Sequence, residues 1–109
     1  MKEYTLRELC EKCGVTRRAV QWYEKFGIVK AIGKNKMSHL LYDEETVKKV
    51  KEIKALQNYG LSISEIKEYL ESGSEKQKTF LIQKHEKLKE KCSRMISYLK
   101  EIENLIEKK

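Results

Sequence analysis

Cys10-x-x-Cys13, with His39 and His85, are the residues whose types could hold a metal or exchange electrons. A structural zinc site takes four such ligands. There is no second cysteine pair, and both histidines stand isolated. The third cysteine, Cys92, leaves an odd number, and Met1-Lys2-Glu3-Tyr4 lacks the apolar run of a secretory signal. Reduced thiols are therefore expected, with Cys10 and Cys13 acting as small apolar side chains on a helix. No nucleophile is paired with a base, no glycine loop is shaped for phosphate, and no carboxylate pair suggests a cleft. The chain reads as a non-enzyme with no cofactor and no metal.

The remaining chemistry is binding of a polyanion. The net charge is +7, and residues 12–36 hold seven basic side chains (Lys12, Arg17, Arg18, Lys25, Lys30, Lys34, Lys36) against one acid, Glu24. Residues 61–109 hold eleven basic against nine acidic, so the tail is nearly balanced. Charge focused in one short region suits phosphates, because each one neutralised releases counterions; charge alone also fits a solvated basic face. No run approaches the roughly 18 apolar residues that span a bilayer. A cytoplasmic protein with no membrane partner is the expectation.

These side chains need elements to carry them. Thr5-Leu6-Arg7-Glu8 has the form of a capping box and opens a helix to Cys13, with Leu6, Leu9, Cys10 and Cys13 on one side. Gly14 can take the positive φ that stops it, Val15 packs inward, and Thr16 caps a second helix reaching Phe26. Helix, glycine turn, helix is the helix-turn-helix pattern. Arg17, Arg18 and Gln21 stand near the start of the second helix. Val20 and Tyr23 serve the core, joined by Trp22 or Phe26, and Trp22 is assigned inside.

Residues 28–42 lack helical periodicity and predict two short strands around Gly33-Lys34-Asn35-Lys36, a hairpin wing with a basic tip. Asp43-Glu44-Glu45 places acids at the positive end of a third helix, whose inner face is Val47, Val50, Ile53, Leu56 and Gln57, with Lys54 at its edge. Gly60 closes it. Ser62-Ile63-Ser64-Glu65 is a second capping box, opening a short helix through Leu70 with Ile63, Ile66 and Leu70 inward. Ser72-Gly73-Ser74 alone has linker composition.

From Ser74 to Lys109 the apolar positions follow a 4-3 rhythm: Leu81, His85, Leu88, Cys92, Met95, Leu99, Ile102 and Ile106. That is the seam of a coiled coil. A helix about 50 Å long with such a seam needs covering, and a second copy is the simplest cover. Folding back over its own domain is the alternative, and periodicity does not choose between parallel and antiparallel strands.

Several segments together resemble the MerR family of bacterial transcription regulators. The family's opening Tyr-Thr-(Ile/Leu)-x-Glu-Leu is similar to Tyr4-Thr5-Leu6-Arg7-Glu8-Leu9. Its helix-turn-helix consensus is close to the run from Gly14-Val15-Thr16-Arg17-Arg18 through Trp22-Tyr23-Glu24 to Gly27-Ile28. Leu41-Tyr42-Asp43-Glu44-Glu45 and Gly60-Leu61-Ser62-Ile63-Ser64-Glu65-Ile66-Lys67 match two further family segments, so the likeness covers residues 4–70. It implies a mainly α fold. Residues 1–72 would form a winged helix-turn-helix DNA-binding domain, and 74–109 an antiparallel coiled-coil dimerisation helix. It also implies a homodimer on double-stranded DNA that distorts a palindromic promoter operator so that RNA polymerase engages it. The form resembled is the short one, without an effector-binding domain.

On that resemblance the DNA-facing residues are Thr16, Arg17, Arg18, Gln21, Tyr23, Lys34, Lys36, His39 and Tyr42. Tyr23 fits a phosphate contact, with packing as the alternative; Tyr42 fits either a phosphate contact or a brace for the wing. Two positions depart from the family. Gln21 stands where an arginine is usual, and Ser38-His39-Leu40 replaces Gly-Tyr-Arg. Glutamine can pair with an adenine edge. Leu40 cannot take over a guanidinium's phosphate contact, which leaves His39 or Lys36 to compensate, a lower affinity, or a reshaped wing. A protein-interaction module built on a remnant winged head, and an excisionase-like architectural DNA binder, are the rival readings.

Overall fold

The computed structural model describes residues 2–109, which form two compact units divided at Glu68/Tyr69. In the first unit the order is β1 (Tyr4–Thr5), α1 (Leu6–Cys13), α2 (Arg17–Lys25), β2 (Gly33–Lys34), β3 (Leu40–Tyr42) and α3 (Glu44–Asn58). Helix α4 (Ile63–Glu71) crosses the division, and α5 (Ser74–Lys108) makes up most of the second unit.

Each helix of the head starts where its sequence supplies an acceptor for the first unpaired amides. Thr5 Oγ1 accepts from Glu8 N at 3.3 Å while Glu8 Oε1 accepts from Thr5 N at 3.0 Å, a complete capping box. Thr16 Oγ1 accepts from Ala19 N at 3.1 Å, and Asp43 Oδ1 accepts from Thr46 N at 2.9 Å. The second capping box also forms: Ser62 and Glu65 exchange bonds of 2.9 and 3.2 Å. Gly14 ends α1 at φ +64°, a region where a Cβ crowds the following carbonyl.

The wing is larger than two strands. Its sheet has the order β1-β3-β2, all antiparallel, with Tyr4 opposite Tyr42, Thr5 opposite Leu41, and Gly33 opposite Leu41 on the other edge. Strand β1 is two residues long and shows no period, so it is invisible in the apolar pattern. Gly33 and Lys34 belong to strand rather than turn. The reversal lies at residues 35–39, where Asn35 Oδ1 accepts from Met37 N at 2.9 Å and His39 N at 3.0 Å. Ser38 takes the positive φ of +64° there.

The core gathers Leu9, Val20, Tyr23, Tyr42, Val50, Ile53 and Ile66, all essentially out of solvent. Burying each aliphatic member contributes about 1.5–3 kcal/mol relative to leaving it in water. Helix α1 is the hub, adjacent to α2, α3 and β3. Trp22 is not in this core. It is 46% exposed, a correction to the sequence reading. Val20 and Tyr23, three apart, already fill the inward side of α2, so Trp22 turns to the outer side with Arg18, four residues earlier.

In the second unit Tyr69 is buried and meets the edge of Phe80, ring centroids 6.1 Å apart, while Gln77 Nε2 donates to the Tyr69 carbonyl at 2.9 Å. Helix α5 has 35 residues and none of them is buried. Its seam lies open: Leu81 is 42%, Leu99 59% and Ile106 68% exposed.

Candidate nucleic-acid interface

Helix α2 presents its polar side chains because its apolar ones are committed inward. Thr16 caps it, and Arg17, Arg18, Gln21 and Lys25 are exposed. Arg17, Gln21 and Lys25 follow one another at four-residue steps along a single face, with Arg18 and Trp22 beside them. The Lys25 ammonium lies 5.5 Å from the Trp22 ring centroid, and Trp22 tilts against Phe26 with centroids 5.0 Å apart. The indole thereby offers an apolar plate and an N–H donor next to the cations. Sequence reasoning missed it; the Arg18, Trp22, Phe26 spacing was the available signal.

Glu24, the single acid in this basic stretch, is half-buried and engaged by a neighbour. The Tyr42 hydroxyl donates to a Glu24 carboxylate oxygen, joining β3 to α2. Tyr42 has no exposed surface, so it is withdrawn from the DNA-facing set; of the two roles open to it, bracing is the one realised. Burial first, and then the bond and charge of Glu24, push its phenol far above the ordinary value.

Tyr23 is likewise buried, and its hydroxyl donates to Gln57 Oε1 at 2.8 Å. Its one proton is already engaged, which corrects the phosphate-contact reading: packing is the role the structure shows. The pair floors a shallow depression of about 330 Å³, rimmed by Thr16, Arg18, Ala19 and Trp22. Spacing places Gln57 on the inner face of α3, but its partner, 34 positions away, is not legible in the sequence.

Lys34, Lys36 and His39 are exposed around the wing's reversal, and Leu40 is half-buried. A larger groove of about 660 Å³ runs between residues 27–32 and α3. It balances Lys30, Lys48 and Lys49 against Asp43, Glu45 and Glu52, and so offers a polyanion no net charge.

Cys13 is buried with Sγ 3.5 Å from the Val47 carbonyl, and Cys10 is half-buried. Burial pushes both thiols above their usual range, the opposite of what a reactive cysteine requires. Among the described residues, no three His, Cys, Asp or Glu side chains gather into a group able to hold a metal, and no helix is long and apolar enough to cross a membrane. On α5, His85, Leu88, Cys92, Met95 and Ile102 join Leu81, Leu99 and Ile106 as exposed seam residues.

The family described as MerR HTH family regulatory protein matches residues 4–73, from β1 through the end of α4. A second family, the RecG N-terminal helical domain, matches residues 42–109, a run of helices that includes neither α2 nor most of the wing. A nodulation protein, NolA, of Bradyrhizobium elkanii is 36% identical over 70 residues, covering 64% of this chain and 32% of its own length. The mercuric resistance operon regulatory protein of Bacillus cereus is 28% identical over 68 residues, covering 62% and 52%. The chain therefore spans about a third to a half of these relatives. Among solved structures, HiNmlR, described as a MerR family regulator lacking the sensor domain and bound to promoter DNA, superposes with a TM-score of 0.75 at 18% identity. That match covers 90% of this chain and 79% of the other. The N-terminal part of MtaN from Bacillus subtilis, a multidrug transporter activator, gives 0.73 at 22% identity, covering 94% and 97%. Helix-turn-helix, wing and following helices agree in sequence and in fold, and the chain belongs to the MerR HTH family of regulatory proteins.

Proposed function

We propose that the protein is a homodimeric, sequence-specific DNA-binding transcription regulator. Each copy reads half of a palindromic promoter operator with α2 and the wing, and the dimer distorts the DNA between the halves so that RNA polymerase can engage the promoter. The observation that carries this is the outer face of α2. Arg17, Arg18 and Lys25 stand exposed beside Gln21 and Trp22, and Glu24, the one acid of residues 12–36, is tied to Tyr42. Side chains in the first turns of such a helix reach base edges and phosphates in the major groove. Arginine fits guanine, glutamine fits adenine, and the wing lysines Lys34 and Lys36 supply charge for the flanking backbone.

The open seam of α5 supports the dimer. Antiparallel pairing sets Leu81 against Ile106 of a second copy, His85 against Ile102, Leu88 against Leu99, and Cys92 against Met95, so every layer is filled. On the flanks Lys91 then meets Tyr98 and Lys84 meets Leu105, where lysine stems cover apolar surface while the ammonium stays in water. Parallel pairing instead places Lys84 against Lys89, a like-charge contact. The antiparallel arrangement is favoured.

Selection of bound duplexes from a random pool tests the reading. Enrichment of an inverted repeat with fixed spacing is expected. A pool that emerges without a common sequence, or a native complex containing a different protein along α5, would overturn it.

A further inference from the structure

The charges of α5 are segregated around the helix. Lys84, Lys87, Lys91 and Arg94 fall at steps of three, four and three residues, which puts all four on one flank. The flank on the other side of the seam is mixed, with Glu86, Lys89, Lys100 and Glu103. Lys87, Lys91 and Arg94 are exposed, and among the described residues no carboxylate lies within ion-pair distance of these three. This basic ridge is about 15 Å long. Lys84 and Lys91 flank the seam, while Lys87 and Arg94 lie a further step around the helix, where seam pairing does not require them.

We infer that the Lys84–Arg94 ridge is a second DNA-contacting surface, one that holds duplex phosphates without reading sequence. The inference rests on the DNA-binding reading above and extends it to a part of the chain outside the helix-turn-helix and wing. Duplex DNA presents one negative charge per about 1.7 Å of its axis, so a ridge of this length always faces several phosphates. Lysine, three of the four, is a flexible point charge suited to such undirected contact. In the antiparallel dimer both copies turn this flank to the same side of the coil, because like flanks face each other there. Eight cations, with Glu101 of each copy as the acid on the same flank, then line about 28 Å around the two-fold axis, the axis that a palindromic duplex shares. An acidic protein would also answer to charge, but a face centred on that axis matches the symmetry of the operator itself.

The test uses the full chain and a labelled duplex, with the dissociation constant followed against KCl concentration. The variant Lys84→Gln/Lys87→Gln/Lys91→Gln/Arg94→Gln is expected to flatten the log–log salt dependence by at least about two units, at about 0.9 unit for each phosphate no longer neutralised. Its ratio of affinities for selected and scrambled duplex should stay unchanged. Lys89→Gln/Lys100→Gln on the mixed flank should leave the slope alone. Should the fourfold variant lose its dimer, Lys87→Gln/Arg94→Gln, away from the seam, is expected to keep the dimer and show about half the effect. An unchanged slope in a variant that remains dimeric, or an equal loss on the mixed flank, overturns the inference. Wild-type chain that binds no duplex at all would instead overturn the function proposed above, and the inference with it.

Discussion

The Tyr23 hydroxyl donates to Gln57 Oε1 at 2.8 Å and so fastens α2 to the last turn of α3. The bond spends Tyr23's proton inside the protein. It also sets the depth at which α2 lies, and with it the reach of Arg17 and Arg18. A double-mutant cycle of Tyr23→Phe and Gln57→Leu is expected to show a coupling of about 0.5–1 kcal/mol in urea unfolding. Tyr23→Phe should leave the salt slope of DNA binding as it is. A slope lowered by a unit would return Tyr23 to the phosphate-contacting set.

Arg17 and Arg18 carry the opposite expectation. Each changed to alanine removes an exposed cation from the outer face of α2 and should lower the salt slope by about one unit for every phosphate left without its cation. If either arginine reads a base instead, its removal should cost about 1–3 kcal/mol on the selected sequence and relax preference at one position. Titrations of selected and scrambled duplexes at several KCl concentrations separate the two. Neither effect appearing would remove α2 from the interface.

Alkaline pH offers a probe of the brace between β3 and α2. Tyr42 is raised above its ordinary value of 10.0 by burial first and then by Glu24, and burial raises Tyr23 as well. Below pH 10 both phenols are neutral in the folded and unfolded chain, so their full contribution to stability is present. Above it the unfolded chain loses protons that the folded chain retains, and stability falls as pH rises toward the folded values. Urea midpoints should stay level to about pH 8, fall gently as the unfolded thiols of Cys10 and Cys13 ionise, and decline more steeply above roughly pH 9.5 as the phenols follow. Tyr42→Phe is expected to be less stable at neutral pH yet to decline less steeply; an identical decline would show that Tyr42 ionises freely.

Two positive-φ residues predict substitutions of opposite sign. Gly14→Ala places a methyl at φ +64° and 2.9 Å from Lys54 Nζ, whose bond of 2.6 Å to the Gly14 carbonyl would have to shift. A loss of about 1–2 kcal/mol is expected. Ser38 occupies φ +64° with a side chain, so Ser38→Gly should gain up to about 1 kcal/mol. Thermal unfolding of both variants reads the signs directly, and a gain in the first or a loss in the second would show that backbone strain does not govern these turns.

What could be read from the chain beforehand was whatever is settled within four residues. The caps at Thr5, Thr16, Asp43 and Ser62 and the stop at Gly14 form where the residue types place them. So does the inward face of α3, since its residues repeat with the helix period. What could not be read depends on partners far along the chain. Trp22 and Tyr42 are both large, amphipathic aromatics, and nothing local decides that the first lies outside and the second inside. The choice comes from Val20 and Tyr23 filling the inner side of α2 and from Glu24 receiving Tyr42, 18 positions on. Strand β1 escaped because two residues carry no period, and the Tyr23–Gln57 bond because its partners lie 34 positions apart.

Thr5 belongs to two structures at once: it pairs with Leu41 in the sheet and closes the capping box of α1. The cap of the first helical turn and the edge strand β1, which pairs with the middle strand of the wing, therefore share a single backbone residue. Tugging on the hairpin from outside is felt at Glu8, and loosening that turn unseats the strand. Backbone amides of the two segments should consequently exchange with deuterium as one cooperative group rather than fray separately.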